Sequence, residues 1–168
     1  MDLNLENTKD YPLADGDVQT LLTEQHECAM TWSTQDGWPM AMLQLFLWRD
    51  GRIWTTTSSH KKRVTALGRR PKSCIVVSGE GTSLGGDRSV AIKTTVTIHR
   101  DRATKDWFLP AIAAKVNPDN PQTAHLMTQL LDSPRRVVLE HQPVRFLSYD
   151  GIAMRDTLIA SLPRHPSP

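Results

Sequence analysis

The chain has 168 residues, of which 39% are hydrophobic and 23% charged, with a formal net charge of +2. This length suits one domain whose core needs no disulfide staples. A balance so close to neutral excludes a binder of nucleic acid through bulk positive charge, and no apolar run approaches the ~18 residues of a membrane span.

Neither nucleic acid nor a membrane is therefore expected as a partner. No N-terminal apolar stretch resembles a signal peptide. The only two cysteines, Cys28 and Cys74, are far apart, with no CxxC and no adjoining His pair. They read as small apolar residues of a reducing compartment, and a cytoplasmic location is expected. Residues 1–12 are polar and irregular and read as an arm, residues 13–157 as the domain, and residues 158–168 as a proline-rich tail.

Along the domain, Asp15 or Asp17 caps a first helix with Val18, Leu21 and Leu22 on one face. Cys28–Thr34 reads as a strand, and Asp36-Gly37 as the hairpin turn that Asp-Gly favours. Pro39–Trp48 is a long apolar strand with Gln44 as its one clearly polar member, and Asp50-Gly51 turns it into Arg52–Thr57. Three strands joined by two tight turns make a meander, the start of an antiparallel sheet or barrel.

The stretch Trp54–Pro71 is the most informative. A β-rich run is followed by Ser58 or Ser59 as N-cap, a short helix with Val64 and Leu67 on its buried side, and Gly68 as C-cap. This places Lys61, Lys62 and Arg63 in the first helical turn, where the helix dipole already presents positive charge. Cations there are unfavourable unless an anion occupies the site, and a phosphate would meet N–H groups, serine hydroxyls and basic head groups together. The same run also suits a plain solvated face.

Pro71 precedes a fourth strand, Ser73–Ser78, and a glycine-bearing loop spans Gly79–Asp87. In Ser89–His99, Val90, Ile92, Thr94, Val96 and Ile98 share one face of a fifth strand. Asp101–Val116 has helical spacing, with Trp107, Ile112 and Val116 as packing candidates and a break or bend at Pro110. Asn120-Pro121 opens another helix, whose Leu126, Leu130 and Leu131 are placed to pack. Arg135–Tyr149 is the last strand, interrupted at Pro143 and so at an edge or a bulge. The expected fold is α+β, a six-stranded antiparallel split β-barrel with peripheral helices. Side chains fill so small a barrel, so a ligand binds outside it or at a subunit junction.

The order of these pieces resembles the pyridoxamine 5'-phosphate oxidase-like, FMN-binding split-barrel family. The residues that carry the resemblance are Asp36-Gly37-Trp38-Pro39, the apolar strand to Phe46, Asp50-Gly51-Arg52-Ile53-Trp54, Thr55-Thr56-Thr57 with the basic helix to Leu67, and Arg70-Pro71. Thr97-Ile98-His99-Arg100-Asp101 and Val144–Asp150 resemble later steps of the family, so the match spans roughly residues 20 to 157. The resemblance implies a homodimer with FMN in a groove between two barrels. Carried over by position, Lys62 and Arg63 hold the phosphate with Lys61 as alternate, and Thr56 and Thr57 contact the phosphate or ribityl chain. Met40, Ala41, Met42 and Leu43 run beneath the isoalloxazine ring, and Gln44 bonds a polar ring edge.

The chain lacks the aromatic and arginine-bearing C-terminal segment of true pyridoxamine-phosphate oxidases, so vitamin B6 oxidation is not the expected activity. The expected function is an FMN-dependent oxidoreductase passing hydride through flavin N5 to or from a small organic substrate. The alternatives are an F420-dependent reductase of the same fold, a non-catalytic flavin- or haem-binding protein, and an anion-binding or nucleic-acid-binding barrel using Lys61–Arg63 with Arg69-Arg70, the nucleic-acid form being disfavoured by the lack of neighbouring exposed aromatics. No residue is assigned a catalytic role, and no metal site is expected. Of the six histidines, only His60 draws notice, because it adjoins the basic run. Trp38, Trp48 and Trp54 read as core or as groove walls.

Overall fold

A computed structural model of the chain describes residues 7–162, so the expectations for residues 1–6 and 163–168 lie outside the described residues. The elements are α1 (Asp15–Glu24), β1 (Glu27–Ser33), β2 (Pro39–Arg49), β3 (Arg52–Ser58), α2 (Lys62–Arg69), β4 (Lys72–Ser78), β5 (Arg88–His99), α3 (Arg102–Val116), α4 (Pro121–Leu131), β6 (Arg136–Asp150) and α5 (Gly151–Ser161). A short 3₁₀ turn, Thr8–Asp10, lies in the segment read as an arm. The six strands close into an antiparallel barrel in the order β1-β2-β3-β6-β5-β4, so the fold is the expected α+β barrel. Among the described residues no helix is long and apolar enough to cross a membrane.

Local chemistry sets the first three strands. Asp50 and Gly51 both have positive φ, 53° and 70°, as a two-residue type I′ hairpin requires. Met30, Ile75 and Ile92 stand side by side on β1, β4 and β5, all fully buried, and anchor the barrel interior. On β5 the alternation puts Val90, Ile92, Thr94 and Val96 inside, with Ile98 partly buried. A second core lies outside the barrel, where α3 packs Phe108, Leu109 and Ile112 against Trp54 and Val138. Trp107 meets the Trp54 ring edge-on at 4.9 Å between centroids. Trp48 packs partly against the main core, whereas Trp38 is 67% exposed.

The barrel closes unevenly. β2 pairs with β1 from Pro39 to Leu45 but with β3 only from Phe46 to Arg49. β6 pairs with β3 from Arg136 to His141, then continues to Asp150 with β5 alone. The N-terminal half of β2 and the C-terminal end of β3 therefore splay apart, and Arg63 of α2 reaches Met42 and Thr57 on the two sides of the split.

Several expectations are corrected. Neither Ser58 nor Ser59 caps α2: Ser58 ends β3, the Ser59 N–H donates to Arg135 O, and Lys61 is the N-cap with no side-chain bond. Gly68 lies inside α2, and Arg70 follows it as C-cap. Asp15 and Asp17 sit in the first turn of α1, where they favour the dipole, but the N-cap is Ala14. α3 continues through the exposed Pro110 as one helix, capped by Asp101, which accepts from the Thr104 N–H at 2.7 Å. On α4, Leu126 and Leu130 are 58% and 80% exposed, and only Leu131 of the three leucines packs. Pro143 marks a bulge: Lys93 faces Arg145 and Thr94 faces Pro143, so Val144 is the extra residue. The helix α5 was not foreseen; Asp150 caps it, accepting from the Ile152 and Ala153 N–H groups at 3.0 Å each.

One polar group is sealed inside the barrel. His141 Nε2 lies 3.1 Å from Thr55 Oγ1, and Nδ1 lies 3.5 Å from Thr94 Oγ1. Burial pushes the His141 imidazole down to about 3. The folded chain thus keeps His141 neutral where the unfolded chain, with an ordinary imidazole near 6.5, binds a proton. Stability is full above that value and falls as pH drops from about 6.5 toward 3, by on the order of 2 kcal/mol at about pH 4.5. Urea denaturation should therefore show a lower midpoint at about pH 4.5 than at pH 7, and His141→Gln should flatten the difference. An equal pH slope in the variant would reject this assignment.

Candidate functional site at the split in the barrel

β3 directs Thr55 and Thr57 into the barrel and Trp54 and Thr56 outward. α2 leaves its end and presses Val64 and Leu67 into the main core. This fixes the N-terminus of α2 over the split. That terminus has no acidic residue in its first turn and no capping side chain, so its polarity is unmet from within the chain.

Arg63 bridges the gap. Its Nη2 donates to Thr57 Oγ1 at 2.5 Å, and Nη1 approaches Met42 Sδ at 3.0 Å. Its Nε is buried with no hydrogen-bond partner among the described residues. Desolvation lowers the Arg63 pKa. A thioether is a weak acceptor, so much of the donor capacity of this guanidinium is unmet by the described residues.

The other predicted positions separate around this point. Met40, Ala41, Met42 and Leu43 are all exposed, on the part of β2 that has β1 on one side and no strand on the other. By alternation Met40 and Met42 share the face of Met30, whereas Ala41 and Leu43 face outward. Thr56 and Thr57 also face opposite ways. The Thr56 hydroxyl donates to Val137 O at 2.8 Å and lines a cavity of about 250 Å³ with Leu43, Gln44, Met127 and Arg136. Gln44 donates its amide to Leu43 O at 2.7 Å. Lys61 is exposed at the cap position. Lys62 turns away from Arg63 into another cavity, where it joins His60, Trp32, Arg69 and Arg70.

Sequence reading missed two contributors. Arg136, at the start of β6, is partly buried, and its Nε donates to Leu131 O at 2.8 Å. Burial lowers its pKa. Nothing in its local sequence marks it, because its position depends on α4. Trp32 was passed over as a strand aromatic; the signal was the polar Thr34-Gln35 beside it.

No family model and no curated protein matches the sequence. Solved structures do. A conserved hypothetical protein of Mycobacterium tuberculosis matches with a TM-score of 0.73, at 16% identity, over 95% of this chain and 94% of its own. A putative pyridoxamine 5'-phosphate oxidase of Listeria innocua matches with 0.60, at 17% identity, over 81% and 98% of the two chains. An F420 reductase matches with 0.59, at 16% identity, over 77% and 94%. The chain has the pyridoxamine-phosphate-oxidase-like split-barrel fold. In this split barrel, Arg63 of α2 and the unpartnered half of β2 border one opening.

A cation held for a ligand gives no stability of its own. Arg63→Met should therefore leave the ligand-free chain as stable as the parent, or more stable by up to about 1 kcal/mol. Thermal melts check this; a loss of several kcal/mol would make Arg63 a structural brace instead.

Proposed function

We propose that the chain is a flavin-dependent oxidoreductase that holds FMN across the split, with the phosphate at the N-terminus of α2. The observation that carries this reading is Arg63, a partly buried guanidinium with an orphaned Nε beside an uncapped helix N-terminus. A phosphate there accepts from Arg63, from the free N–H groups of the first turn and from the Thr57 hydroxyl, and Lys61 adds charge from the rim. The residues present fit the group.

The unpartnered edge of β2 from Met40 to Leu43 offers backbone donors and acceptors to the polar edge of a flat ring. Met42, already against Arg63, supplies a soft, polarizable contact beneath it. When bound, FMN supplies hydride transfer at N5. The chain's part is to bind and orient the ring and to exclude water from one face. A small organic substrate takes the other face.

We propose further that the working form is a homodimer. Leu43, Ala29, Val76, Ala91 and Leu147 stand in one row across β2, β1, β4, β5 and β6, on the outward side of the sheet. Leu43, Val76 and Leu147 of that row are 62%, 38% and 41% exposed, and neighbouring exposed apolar side chains on one face suit an interaction surface. A second copy covers it and adds the far wall of the flavin groove. The fold shared with an F420 reductase makes the deazaflavin the second reading.

The test is an absorbance spectrum of the purified chain after soaking with FMN, F420 and haem in turn, followed by gel filtration. Retained FMN bands that NADH or NADPH bleaches are expected, and Arg63→Ala should weaken FMN at least tenfold. Retention of no chromophore, or unchanged affinity in the variant, would sink the proposal. Light scattering should give twice the 18.9 kDa chain mass, and Leu43→Glu should halve it. A monomeric parent chain would remove the dimer.

A further inference from the structure

α2 has a second face that the flavin reading does not use. Lys62, Thr65, Ala66 and Arg69 stand at i, i+3, i+4 and i+7, so they form one stripe. This stripe lines a cavity of about 300 Å³ together with Trp32 of β1. Arg63 points elsewhere, to Thr57 and Met42.

Charge and ring chemistry both point to a ligand here. Between Ser58 and Lys72 the sequence holds five Lys or Arg and no Asp or Glu. Among the described residues no carboxylate lies within ion-pair distance of Lys62, Arg69 or Arg70, whereas Arg49, Arg52, Arg88, Arg102 and Arg155 are each paired with one. Arg70 also lines the cavity and is held in place, donating from Nε and Nη2 to Ser33 O at 3.2 and 3.0 Å. The tryptophans differ in the same way. Trp48 donates to Gln19 at 2.9 Å and Trp54 to Arg49 O at 3.3 Å, whereas the indole N–H groups of Trp32, Trp38 and Trp107 have no acceptor among the described residues, and of these three only Trp32 lines the cavity. Trp32 is also only partly buried.

We propose that this cavity binds a nucleotide, its phosphate on Lys62 and Arg69 and its base against Trp32. Two cations a double helical turn apart, with only Thr65 and Ala66 between them, leave room for a phosphate and give it a hydroxyl. An indole beside cations is the arrangement that holds a flat heterocycle on a charged tether. The volume lies at the small end of ligand pockets and suits one mononucleotide unit. That unit is either free or half of a dinucleotide. The site is separate from the Arg63 site and stands whether or not FMN binds there.

Calorimetry on the full chain with 5'-AMP, ribose 5-phosphate, adenosine and inorganic phosphate tests this. AMP should bind at least tenfold more tightly than any of the other three. Lys62→Ala with Arg69→Ala, both on the helix surface, should cost at least tenfold with an unchanged circular dichroism spectrum. Trp32→Phe should retain part of the advantage of AMP over ribose phosphate, and Trp32→Leu should abolish it. If AMP and FMN bind together, the source is a separate nucleotide; if FAD excludes both, one dinucleotide spans the two sites. AMP no tighter than ribose phosphate, an unaffected double variant, or preference for an oligoglutamate or a single-stranded oligonucleotide would each overturn the proposal. Loss of FMN binding with AMP retained would count against the flavin reading alone.

Discussion

Four residue pairs, Phe46–Arg49 against Arg52–Thr55, are all that join β2 to β3. The Asp50-Gly51 turn starts the two strands in register, but twist soon separates them. β2 goes on along β1, and β3 goes on along β6. The opening follows from that short ladder, and so does the position of α2, which must leave the end of β3 and cross the gap to reach β4. Arg63 is the side chain that crosses with it.

The two sides of the barrel wall are treated differently. α3 covers the outer face of β3 and β6 with Phe108, Leu109 and Ile112. At the margin of that cover, Glu140 holds His99 at 2.7 Å and Arg52 at 2.8 Å, which ties β3, β5 and β6 together at one level. Among the described residues the outer face of β1, β4 and the N-terminal half of β2 has no such lid and keeps its apolar row in the open. The ladder holding the split therefore rests on the helix-backed side.

The parts legible in the sequence are those decided within a few residues. Asp-Gly turns, the alternation of Val90 to Val96 and the Asn120-Pro121 helix start all rest on local chemistry, and they stand as read. What escaped depends on distant partners. Pro143 forms a bulge because β5 pairs on both sides of it. Leu126 and Leu130 have helical spacing, yet α4 meets α3 along another stripe. α5 has little amphipathic pattern to reveal it and is started by the Asp150 cap. The basic run shows the limit most clearly. Successive residues on a helix diverge by about 100°, so Lys62 lines a cavity while Arg63 reaches Thr57 and Met42, although the sequence presents them as one cluster.

The last strand has a consequence for synthesis. β6 supplies the partner for both β3 and β5, and it is the fourteenth decade of the chain before it begins, at Arg136. Until it emerges from the ribosome, β3 and β5 each expose a bare edge, on strands rich in Val, Ile and Thr. Such edges recruit other strands. A nascent chain stalled before residue 136 is accordingly the form most exposed to aggregation, and chaperone demand should fall abruptly once β6 is released.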